Sequence, residues 1–73
     1  NNKTVQVIQV CKDLVDPKTK EREIAGLTEA LAKFSLKAGL IITENIESTE
    51  KIKHNQSDFT INIIPIWKWL LSY

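Results

Sequence analysis

Gln9 and Cys11 are the residues of this chain whose place and spacing come nearest to chemistry. They close an apolar run, Val5 to Cys11, that reads as a strand. Residues two apart in a strand point to the same face, so the two side chains stand together near its C-terminal end. A carboxylate and a lysine in such a place would hold Mg²⁺ and steer an attacking water. An amide and a thiol do neither: Gln9 offers a neutral oxygen, and sulfur is a poor partner for Mg²⁺. As a nucleophile or redox group, Cys11 would need a cation nearby to favour the thiolate. Lys12 points to the opposite face, and no other His, Arg or Lys sits at a spacing that compels it. The pair fits a packed sheet position, with a satisfied amide and a buried thiol acting as a small hydrophobe.

The other candidates are weaker. His54, the sole histidine, falls in a polar turn and reads as solvated. Lys18, Lys20 and Arg22 crowd the start of a helix, where cations oppose the macrodipole, and so hint at a phosphate contact. Glu21 and Glu23 interleave with them and largely cancel the charge, which leaves a solvated face. Trp67, Trp69 and Tyr73 in a short terminal segment exceed what its packing needs. Either Trp67 anchors that segment on the sheet and Trp69 lies partly exposed, or the three form a contact with another domain or subunit.

Composition narrows the classes. At 73 residues the chain is at most one small domain, and 42% hydrophobic with 26% charged residues is ordinary globular material. A net charge of +1 supports neither a nucleic-acid footprint nor a membrane patch. No apolar run reaches the roughly 18–20 residues that span a bilayer. One cysteine forms no intrachain disulfide and suits a reducing, cytoplasmic setting. With one Cys and one His far apart, no metal-ligand spacing exists. The chain contains no Met and starts almost inside a strand, as a piece of a longer protein would.

The elements that must position these residues follow from periodicity. Val5–Cys11 is apolar on both faces, as in a parallel sheet covered on both sides. Asp16 or Thr19 caps a helix, with Pro17 at home in a first turn. From about Thr19 to Lys37, Ile24, Leu27, Leu31 and Phe34 form one apolar stripe, with Ala30 and Ala38 beside it. Gly39 is expected to end the helix with positive φ. Leu40–Thr43 is a short buried strand parallel to the first, which completes a βαβ unit. Residues 44–57 are polar, with Lys51–Lys53 as an edge strand and His54–Asp58 as the turn of a loose hairpin. Phe59–Ile64 alternates cleanly as a strand, and Pro65 stops it. Trp67, Leu70 and Leu71 share a face of a short closing helix. The fold class is therefore α/β: a βαβ unit, a following hairpin and strand, and a C-terminal helix.

Several blocks together carry a family resemblance. These are Val7–Leu14 (VIQVCKDL), Thr19–Ile24 (TKEREI), Leu27–Leu31 (LTEAL), Gly39–Thr43 (GLIIT) and Ile63–Leu71 (IIPIWKWLL). In order and spacing they resemble the C-terminal, PD-(D/E)XK nuclease-like domain of a family of prokaryotic AAA-type ATPases. The resemblance implies a partial restriction-endonuclease-like fold, in which Gln9 and Cys11 stand where a Glu-x-Lys signature holds its charged groups. It implies earlier strands with an acidic residue ahead of residue 1. ATP and Mg²⁺ are implied for the parent protein only, since nothing here matches G-x-x-x-x-G-K-[ST].

Three functions compete. The first is a non-catalytic accessory domain of an AAA-type ATPase that contacts protein or nucleic acid. The second is a remnant of a metal-dependent nuclease whose carboxylates lie upstream. The third is an oligomerisation module. No catalytic, metal or cofactor residue is expected within residues 1–73. The expected partners are the parent ATPase domain and a second copy, held through the first strand or the Trp67–Tyr73 segment.

Overall fold

Six elements build the computed structural model, which describes residues 6–12 and 14–72. They are β1 (Ile8–Val10), α1 (Pro17–Lys33), β2 (Ala38–Thr43), β3 (Ser48–His54), β4 (Ser57–Pro65) and α2 (Ile66–Leu71). Val5 and Tyr73 lie outside the described residues. The sheet order is β1-β2-β4-β3. β1 and β2 are parallel, β2 and β4 are parallel, and β3 runs antiparallel along β4 at the far edge. The expected α/β class, the adjacent parallel first pair and the lysine-bearing edge strand are all present. The edge strand is longer than Lys51–Lys53 and takes in seven residues. Backbone bonds at the flanks of β1, from Leu40 N–H to the Val7 carbonyl (3.2 Å) and from Cys11 N–H to the Ile42 carbonyl (2.9 Å), extend its pairing.

Register fixes the two faces. Gln9, Ile41 and Ile63 lie side by side, as do Val10, Ile42 and Ile64. The first row faces α1. There Leu27, Leu31, Ile41, Ile61 and Ile63 are wholly buried and form the core with Leu14, Ile24 and Phe59. The second row faces away from α1, and α2 lies near it on β2 and β4.

The start of α1 is as the sequence directs. Asp16 accepts a 2.9 Å bond from the Lys18 N–H, and Pro17 fills the first helical position. The end is not. The helix stops at Lys33 rather than near Lys37, and Gly39 plays no part in stopping it. Ser35 takes the left-handed conformation, with φ of 59°. Leu36 N–H reaches the Leu31 carbonyl (2.8 Å) and Ser35 N–H the Ala32 carbonyl (3.2 Å), the paired bonds of a Schellman cap. Leu36 then packs on the core, as the residue after such a cap commonly does. The cap turns Phe34 outward, 53% exposed, so it does not belong to the buried stripe. Ala38, also expected beside that stripe, is exposed at the start of β2.

The β3–β4 hairpin is tighter than a loose loop. His54 pairs with Ser57, which leaves only Asn55 and Gln56 in the turn. Both have positive φ, 51° and 66°, as a two-residue turn matched to strand twist requires. Among the described residues no helix is long and apolar enough to cross a membrane.

Candidate functional site

A strand residue on a helix-covered face must find a partner for any polar group it carries. Gln9 finds one in Glu23. Its Nε2 donates to the Glu23 backbone carbonyl at 3.2 Å and to the same residue's carboxylate Oε1. Both residues are half-buried. The amide therefore ties β1 to the second turn of α1, across the seam between helix and sheet. Cys11 shares this face, is half-buried and packs against the core. Spacing along the strand thus places Gln9 and Cys11 together as expected, in packed surroundings. Among the described residues no three His, Cys, Asp or Glu side chains group as a metal ion would require.

Glu23 was invisible as a site residue in the sequence, where it reads as one more charge among the helix-start cations. The available signal was Gln9 itself, a polar residue on the helix-facing side of a largely apolar run. The cations do not converge. Lys20 forms a 2.8 Å ion pair with Glu50 on β3, whereas Lys18 and Arg22 are exposed. His54 is the last residue of β3 rather than a solvated turn residue. It is half-buried and meets the Phe59 ring edge-on, with centroids 6.4 Å apart.

The aromatic end inverts one expectation. Trp67 does not anchor α2: it is 54% exposed, and Leu70 and Leu71 point outward with it. The half-buried tryptophan is Trp69. Helical geometry puts Ile66, Trp67, Leu70 and Leu71 on one side, with Lys68 and Trp69 on the other. Trp69 turns in, while Lys68 forms a surface ion pair with Glu47 in the β2–β3 connection. Val10 and Ile66 line one groove of about 190 Å³ over Ile42, so the exposed side of α2 continues onto the face of β1.

Fold and site together define a small α/β domain with a polar lock between β1 and α1 and an exposed apolar strip. Over 70 residues, 93% of its length, the chain is 41% identical to an uncharacterized protein of Methanocaldococcus jannaschii. It spans 16% of that protein's length. No family model matches the chain, and no solved structure matches it.

Proposed function

We propose that this chain is a non-catalytic contact domain of nuclease-like architecture, carried by a longer AAA-type ATPase in a reducing, cytoplasmic setting. The observation that carries the reading is the bond set of Gln9. Where a nuclease would present a metal-binding carboxylate, the strand presents an amide already engaged by Glu23. The same position that could have held chemistry instead joins helix to sheet. What remains for the domain to offer is surface.

That surface suits protein better than nucleic acid. On the face away from α1, β3 carries Lys51 and Lys53, but Lys53 is paired with Asp58 at 3.2 Å and the chain as a whole is at +1. Exposed apolar area is instead concentrated on β1 and α2, which is the mark of a protein interface. ATP and Mg²⁺ belong, in this reading, to the ATPase portion of the parent.

The expected result in a cleavage assay is no product from DNA or RNA, single- or double-stranded, with Mg²⁺ or Mn²⁺. Metal-dependent turnover by the purified chain, lost on Gln9→Ala, would falsify the reading.

A further inference from the structure

We propose that the apolar strip on β1 and α2 is covered by a second copy of this chain, related by a two-fold axis. This rests on the contact-domain reading and names its partner. The strip consists of Ile8, Val10, Ile66, Trp67, Leu70 and Leu71. It is continuous because Ile8 and Val10 share a strand face, Val10 and Ile66 line one groove, and the four α2 residues share a helical side. Val10 is 71% and Leu71 79% exposed. A parallel sheet ordinarily has both faces covered, and here α2 covers only part of the second.

Area and charge select a second copy as the occupant. A stable interface takes about 800 Å² from each partner, and the six residues expose roughly 600 Å² of that before their rim is counted. Where the strip crosses from β1 to α2, its groove carries one charge of each sign. Lys12 and Glu44 both line the groove that Val10 and Ile66 share, and both are exposed. The ion pairs among the described residues are Lys20–Glu50, Lys53–Asp58 and Lys68–Glu47, so neither rim charge is paired among them. A rim of one sign would select a partner of the opposite sign. A rim with one of each is self-complementary, because a two-fold sets residue i against j and j against i. Lys12 of each copy then meets Glu44 of the other. At a net charge of +1 the copies repel each other little.

Sedimentation of the full chain, from low to high micromolar concentration, is the test. The expected mass rises from 8.3 kDa to twice that value. Leu71→Asp, at a solvent-facing position that leaves the far-UV circular dichroism unchanged, should hold the chain monomeric. Lys12→Glu alone should weaken the dimer about tenfold or more, and the reciprocal swap Lys12→Glu with Glu44→Lys should restore it to within about threefold. A monomer throughout the range would overturn the second copy, as would a dimer indifferent to Leu71→Asp. So would a swap that rescues nothing. With cleavage still absent, such a failure leaves the contact-domain reading standing, whereas Gln9-dependent cleavage removes that reading itself.

Discussion

Leu31→Ala should destabilise the fold by about 2–5 kcal/mol in chemical denaturation, as deletion of a wholly buried leucine does. Leu31 is fully buried between helix and sheet, and its carbonyl also accepts the Leu36 N–H that closes the helix cap. Its side chain lies against Gly39 and belongs to the core cluster between α1 and the sheet. A chain of this length has a total stability of roughly 4–11 kcal/mol, so the loss is a large share of it and lowers the denaturation midpoint visibly. A change below about half a kcal/mol would mean that α1 does not pack on β2 and β4 as described.

The two glycines should respond to substitution with opposite signs. A Cβ at Gly39 would stand 3.0 Å from Leu31 Cδ1 and 3.1 Å from Leu27 Cγ, and both leucines are fully enclosed. Gly39→Val should therefore cost about 1–3 kcal/mol through overpacking, more than the gain of at most about 1 kcal/mol that valine brings to a strand. At Gly26, on the exposed side of α1, an added Cβ meets nothing within 4 Å. Gly26→Ala should stabilise by about 0.4–1 kcal/mol, because alanine has less backbone freedom to lose. Denaturation midpoints of the two variants on either side of the parent's would bear out the packing. A Gly39→Val variant as stable as the parent would show that α1 stands farther from β2.

Gly39 also shows where sequence reasoning succeeds and where it fails. A glycine after a long amphipathic stretch reads as a helix stop, yet here it is what lets α1 lie close on β2. The true stop is Ser35, which carries no glycine signature. Its left-handed conformation is held by two backbone bonds and by Leu36 packing on the core, and these are tertiary consequences. The strands and the helix start were legible in outline because their patterns are strong: Phe59–Ile64 alternates, Val5–Cys11 is apolar on both faces around the shorter β1, and Asp16-Pro17 opens the helix. The orientation of α2 was not legible. Six residues with apolar side chains on both sides have no preferred face of their own. Which side turns in depends on tertiary packing: Trp69 is half-buried, whereas Lys68 pairs at the surface with Glu47. The same limit applied to Gln9, whose position on the strand was plain while its partner lay 14 residues away on a helix.

That partnership is the claim from which the functional reading descends, and a double-mutant cycle on Gln9 and Glu23 tests it most directly. Denaturation of the parent, Gln9→Ala, Glu23→Ala and the double variant isolates the amide–carboxylate bond, because the bond to the Glu23 carbonyl survives the second change. A half-buried hydrogen bond to a charged group predicts a coupling of about 1–2 kcal/mol. Additivity within about 0.3 kcal/mol would contradict the lock and return Gln9 to the list of residues in want of a role.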